Sequence, residues 1–208
     1  MPAVAQHGQS KIQYKGGWGR AMFGGNFLNF DQLNQNLIAN EYASLPSSLL
    51  SVGLGLYKER GRFIYGGELY NYMISESDLA NQDASIAYHY AIFRTGWVVY
   101  RQENSLLVYP NIGVGGGLGI LKTRPNTEPL PERFNSAGLM FDAAISLSKF
   151  KPLDLDGKYQ LELGVSLGYM RTLDNMWNIT GLTQTDNSIS VNPDGFYFKL
   201  SLGMGSLR

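Results

Sequence analysis

KYQLELGVSLGYMRT, residues 158–172, reads with a period of two. Tyr159, Leu161, Leu163, Val165, Leu167 and Tyr169 alternate with Gln160, Glu162, Gly164, Ser166 and Gly168. Successive side chains of a strand point to opposite faces, so this segment has one apolar face and one that is polar or tiny. The recurrence runs at 180° per residue rather than the 100° of a helix.

The same alternation returns on either side. Residues 136–148 set Leu139, Phe141, Ala143, Ile145 and Leu147 against Gly138, Met140, Asp142, Ala144 and Ser146. Residues 196–205 set Phe196, Phe198, Leu200, Leu202 and Met204 against Tyr197, Lys199, Ser201, Gly203 and Gly205. Five further segments carry it less cleanly: 17–26, 48–57, 62–73, 84–100 and 105–121. Eight strands result. In the last of these segments Gly113, Gly115, Gly116, Gly117 and Gly119 lie within a strand pattern with no Lys-Ser/Thr after them, so they are packing glycines and not a phosphate loop.

The face with small residues separates a membrane barrel from a soluble one. A soluble sandwich or lipocalin-type carrier puts its large apolar side chains inside. Here the opposite face is Gly, Ser and scattered charge, which would bury little apolar area as a core. That face suits the interior of a narrow closed barrel, and the apolar face then meets lipid with no sheet edge left unpaired. The expected fold is all-β: a closed up-and-down antiparallel transmembrane barrel of about eight strands, residues 17–208, after an N-terminal extension, residues 1–16.

Composition agrees. Charged residues are 16% of the 208, Gly numbers 25 and aromatics are 12%, against roughly 25% charge in soluble domains. Mean hydropathy is −0.16, and no apolar run approaches the roughly 18 residues of a membrane helix. Lys plus Arg and Asp plus Glu both number 17, so no basic excess recommends a nucleic-acid partner. The chain has no Cys, which excludes a disulfide framework, a thiolate metal site and a cysteine nucleophile. Its two histidines, His7 and His89, give a multi-histidine metal site no material, and neither metal nor cofactor is expected.

Connections alternate. Short links at 58–61, 101–105 and 151–157 take turns with long ones at 27–46, 74–83, 122–135 and 174–194. Outer-membrane barrels have short periplasmic turns and long outer loops, which predicts both termini on the periplasmic side of a bacterial outer membrane. In the first long link Phe30, Leu33 and Leu37 recur at helical spacing, with Asp31 as N-cap and Pro46 beyond the end, so a short amphipathic helix is predicted there. It is read first as a lid on the barrel rim, with lipid contact or partner docking as the alternatives.

On this pattern and topology the chain resembles the small eight-stranded outer-membrane barrels, the class containing OmpA, OmpX and the lipid A deacylase PagL. Its glycine-rich strands and the run Gly66-Gly67-Glu68-Leu69-Tyr70 are similar to barrels of Bacteroidetes-type bacteria. Most members of the class end in an aromatic residue, whereas this chain ends Gly205-Ser206-Leu207-Arg208. Either the native chain continues or another assembly signal is used. At the other end Ala3-Val4-Ala5 resembles the A-x-A end of a cleavage site.

Three groups of residues are candidates for function. The registers place Glu68, Asp142 and Glu162 inside with Arg20, Arg94 and Lys199; three acids and three bases balance, and mutual pairing is expected because an unpaired charge in so narrow a lumen is costly. A narrow polar path is the alternative. Ser85 and His89, on one face of one strand, are weak candidates for a nucleophile and base, because the deacylase of the resembled class uses Ser and His. Leu33, Leu37, Phe134 and Trp177, in long links, are candidates for recognition, since loops on rigid scaffolds carry function. Glu59 and Arg60 in a short turn are read as solvated charge. The leading expectation is a non-enzymatic structural or accessory barrel, partnered by membrane lipid and by envelope proteins through its loops or its lipid-facing wall. A lipid-modifying hydrolase and a soluble ligand carrier stand as alternatives.

Overall fold

The computed structural model describes residues 15–39, 44–73, 77–79, 82–102, 105–124, 132–156, 158–179 and 194–207. In chain order the elements are β1 (Lys15–Leu28), α1 (Asp31–Ala39), β2 (Ser48–Arg60), β3 (Phe63–Met73), β4 (Ser77–Leu79), β5 (Gln82–Trp97), β6 (Tyr100–Gln102), β7 (Leu106–Arg124), β8 (Glu132–Pro152), β9 (Gln160–Ile179) and β10 (Gly195–Leu207). Long strands adjacent in the chain pair antiparallel, β5 pairs β7, and β1 pairs β10, so the sheet closes on itself. The closed sheet has eight long strands. The three-residue strands β4 and β6 extend single pairings, on β5 and β7, beyond the ring. β1 begins at Lys15, two residues before the predicted start of the barrel domain.

Alternation along each strand sorts side chains by polarity, in the inverse of a soluble protein. Leu54, Leu56, Ile112, Ile145 and Phe196 point outward and are 63–74% exposed. The six charges predicted for the lumen are at most 6% exposed. In water this arrangement would leave apolar surface wet and charge dry, unfavourable on both counts. In hydrocarbon the apolar wall is solvated and closure satisfies every ladder hydrogen bond. The barrel is therefore a transmembrane one, and its polarity is the reverse of what a soluble carrier requires.

The inward glycines have a specific cause. Cross-strand registers set Gly66 opposite Tyr57, Gly53 opposite Tyr70, Gly117 opposite Tyr90 and Gly168 opposite Tyr197. Each tyrosine ring lies over its partner glycine: a Cβ at Gly66 would meet the Tyr57 ring at 2.8 Å, and Cβ atoms at the other three would also strike the opposing ring. A lumen this narrow holds large rings only where the neighbouring strand gives up its side chain.

Three layers fill the lumen. Towards the rim of short links, Trp18 stacks on Tyr57 with centroids 5.5 Å apart and meets Phe150 edge-on at 5.4 Å. Ile64, Val98, Leu107 and Tyr109 complete that apolar plug. The charged layer lies above it. Above that, Tyr72, Tyr88, Tyr90, Met22, Met140 and Met170 pack with residues of the first long link.

That link carries α1 as predicted. Phe30, Leu33, Leu37 and Leu45 are buried against the upper lumen, which makes the helix a lid. Its cap differs from expectation. Asp31 lies within the first turn, and it is the Asn29 carboxamide oxygen that accepts from the Asp31 N–H at 2.9 Å. Asp31 still stabilises the helix N-terminus by its charge. Asn34 fastens the returning chain at two points, donating to the Leu45 carbonyl at 2.9 Å and accepting from the Leu45 N–H at 2.7 Å.

The two rims differ. At the short-link rim β2 and β3 join through Gly61-Arg62, with Gly61 at φ 67° in the left-handed region that a two-residue hairpin demands of its first central residue. At the other rim the strands run on. β7, β8 and β9 have 19, 21 and 20 residues, where a membrane crossing needs roughly 9–11. Segments read from sequence as long links are therefore partly strand, because a sheet wetted on both faces outside the membrane loses the period-two signature.

Candidate functional site

The described residues gather chemistry in one place, the charged layer of the lumen. Glu68 is its centre. One carboxylate oxygen accepts from Arg20 Nη2 at 2.9 Å and from the Tyr57 hydroxyl; the other accepts from Arg94 Nε at 2.6 Å and from the Tyr70 hydroxyl. Four donors on one carboxylate come from β1, β2, β3 and β5, so the group ties half the barrel together. Arg94 continues the network, donating to Asp142 and, at 2.8 Å, to Asn111 Oδ1, while the Tyr197 hydroxyl donates to Asp142 at 3.0 Å. Glu162 accepts from Ser148 at 2.8 Å and Ser201 at 3.1 Å and stands 3.7 Å from Arg20. Lys199 is held by faces: its ammonium lies 3.5 Å from the Tyr70 ring centroid and 4.0 Å from that of Tyr197, a desolvated cation–π arrangement. Arg20 sits over the Tyr57 ring at 4.2 Å in the same way.

The structure thus brings all six predicted lumen charges into one connected layer. The sequence reading missed the tyrosines that complete it. Tyr57, Tyr70 and Tyr197 supply hydroxyls to the acids and rings to the cations, and their inward registers opposite glycines were the available signal. It also misjudged Glu59. This side chain is buried, 1% exposed, and ion-paired with Arg101 of β6. The correction comes from β6, which pairs with β7 and brings Arg101 to Glu59, and which period-two reading could not find in three residues. Arg60 is exposed as expected.

Chemically the layer is a buried ion-pair core, in which Arg20 Nε and Asp142 Oδ2 make no hydrogen bond. Its acids accept from guanidinium and hydroxyl donors, and the Ser148 and Ser201 hydroxyls donate to a carboxylate with no imidazole beside them. Among the described residues no group of three metal-ligating side chains is assembled.

The other candidates are not brought together. Ser85 and His89 both face outward from β5, four residues apart, which along a strand is about 13 Å. A nucleophile and its base need hydrogen-bond contact. His89 Nδ1 instead lies 2.6 Å from Asn71 Oδ1, its cross-strand partner on β3. Same-face placement on a strand, unlike on a helix, does not mean adjacency. Leu33 and Leu37 are buried beneath the lid at 1% and 4% exposure, so they hold the helix down and are not free to anchor a partner. Among the described residues of that helix the exposed large apolar side chain is Ile38, at 62%. Phe134 and Trp177 have strand backbones, paired with Leu121 and Ser136 respectively; their side chains lie outside the described residues.

No family model matches this sequence, and no curated protein matches it. Solved outer-membrane proteins are similar to it over most of their length. Ail, the attachment invasion locus protein of Yersinia pestis, is 11% identical with a TM-score of 0.49, covering 95% of this chain and 100% of its own. Neisserial surface protein A is 9% identical at 0.42, covering 93% and 96%. The Escherichia coli outer membrane protease OmpT is 4% identical at 0.40, covering 96% and 98%. The chain resembles these outer-membrane barrels in fold.

Proposed function

We propose that this chain is a closed, non-conducting and non-enzymatic barrel of a bacterial outer membrane, with both termini periplasmic, that holds its long links out for recognition by other envelope components. The observation that carries this reading is the filled lumen. A four-donor carboxylate and its paired guanidiniums cross the width of the barrel between two aromatic layers, under a helix lid. The interior of an eight-stranded barrel is just wide enough for side chains to fill, and here large buried rings and charged side chains occupy it. Orientation follows from the rims, since tight turns mark the periplasmic side of outer-membrane barrels. The partner-facing surface is then the outer side of α1 around Ile38, together with the extensions of β7, β8 and β9.

The absence of native cysteine makes the test clean. Single cysteines at Gln35, exposed on α1, and at Asp156, exposed in the 153–159 link, should differ in intact cells. A membrane-impermeant maleimide should label the first and spare the second until the envelope is opened. The purified barrel in a planar bilayer should show no discrete conductance steps, and a photo-crosslinker at Ile38 should capture an envelope component that one at Asp156 does not. Labelling in the opposite order would reverse the orientation. Stepwise conductance would make the lumen a path.

A further inference from the structure

The outer wall carries a groove of about 880 Å³, within the roughly 300–1,000 Å³ of small-ligand sites. It winds across the strands from Phe27 and Phe196 to Phe63 and Trp97, and it is shallow because Thr95, Pro110 and Ala143 are small where the surrounding wall is large. At its lower end Phe63 and Trp97 meet edge to face, centroids 4.4 Å apart and both outward, beside the tight turn that holds Arg62. The Arg62 carbonyl accepts from the Val98 N–H at 2.8 Å, which fixes that turn against the end of the groove. Arg60 and Arg62 are exposed there.

They belong to a wider excess of positive charge. Lys58, Lys149, Lys151 and Lys158 are also exposed at this rim. The carboxylates described beside them are fewer: Asp154 and Asp156, with Glu59 already taken by Arg101. The formal net charge of zero for the whole chain conceals this polarity. Tyr100 and Tyr159, 52% and 53% exposed, join Trp97 at the same level, and exposed Trp and Tyr mark the headgroup region of a membrane.

From this juxtaposition we infer that the Arg60–Gly61–Arg62 turn and the groove above it form a site for one anionic phospholipid. The headgroup phosphate lies between the two guanidiniums, and one acyl chain passes over the Phe63–Trp97 edge into the groove. Guanidinium suits phosphate because its fork donates in pairs, and an apolar groove already facing hydrocarbon takes an acyl chain without dehydration. The site rests on the membrane-embedded reading above. It adds a preference among lipids that a plain apolar wall would lack.

The test is native mass spectrometry of the detergent-purified barrel after mixing with equal amounts of phosphatidylglycerol and phosphatidylcholine of the same chain length. The expected result is one retained phosphatidylglycerol at several times the level of phosphatidylcholine. Preference should fall to parity in R60Q/R62Q and persist in K149Q/K151Q, which removes equal charge elsewhere on the rim. Ala143→Phe, which fills the groove, should lower retention of both lipids. Equal retention of the two lipids by the unmodified protein would overturn the site. So would an equal loss of preference in the two glutamine pairs, because that would show diffuse attraction by the rim. Heat-modifiable migration of each variant in SDS, measured on the same samples, reports membrane-barrel folding separately; its absence would count against the membrane reading itself.

Discussion

On β3, Phe63 and Leu69 face outward while Glu68, Tyr70 and Tyr72 face the lumen, so the wall and the interior are written into one strand on alternate residues. What each row requires is different. A wall residue meets hydrocarbon, and Leu, Ile, Val and Phe serve nearly alike there. A lumen residue meets named partners: Glu68 has four donors, Tyr70 has Gly53 beneath its ring and Lys199 above it. The wall is specified by its solvent and the lumen by its neighbours. Substitutions should therefore be graded by hydrophobicity on one row and by partnership on the other.

The sharpest way to break that contrast is Glu68→Ala. It takes from Arg20 and Arg94 the carboxylate they share in a dry interior, leaving Glu162 and Asp142 as their remaining acids, and removing one member of a buried pair costs roughly 3–5 kcal/mol. Urea unfolding in lipid vesicles should show that loss. A cost no greater than that of Leu54→Ala would mean that the lumen is no more specific than the wall. Next comes Leu54→Arg on the lipid side, expected to cost about 2–4 kcal/mol if it sits near the midplane, while Leu54→Ile should be near neutral by the same measurement. A smaller effect is expected from Gly117→Ala, whose Cβ would strike the Tyr90 ring. Overpacking of this kind costs about 1–3 kcal/mol, and the Gly116→Ala control, whose Cβ approaches only a backbone oxygen at 3.6 Å, should cost less. The smallest effect belongs to the lid. Asn34→Ala removes both part-buried bonds to Leu45, at about 0.5 kcal/mol each; amide exchange should quicken in α1 and leave β8 and β9 unchanged.

Legibility followed the same division. The wall was readable because its rule is local: apolar at every second position, whatever lies across the strand. Glu162 and Lys199 could be assigned to the lumen from parity alone, and so could Arg20 and Asp142. Partnership could not be read this way. Nothing along the chain says that Glu68 meets Tyr57, because that contact depends on the register between β2 and β3 and on closure of the barrel. Where the membrane ends the rule ends too, and 174–179 read as loop although the backbone continues as strand beside β8. Ser85 and His89 show the opposite failure. Parity put them on one face, and a rise of roughly 3.3 Å per residue then kept them apart.

The sequence by itself determined a closed eight-stranded barrel with an apolar exterior, six charges inside it and a helix in the first long link. Those features follow from side-chain alternation and helical spacing, which are properties of neighbouring residues on one chain. Tertiary structure alone decided which charges pair, that tyrosines rather than further acids complete the network, that Leu33 and Leu37 close the lumen, and that cations collect at the rim of short turns. Each of these depends on bringing together residues from strands far apart in the chain, and the shear and closure of the barrel, which set those distances, are written in no single segment.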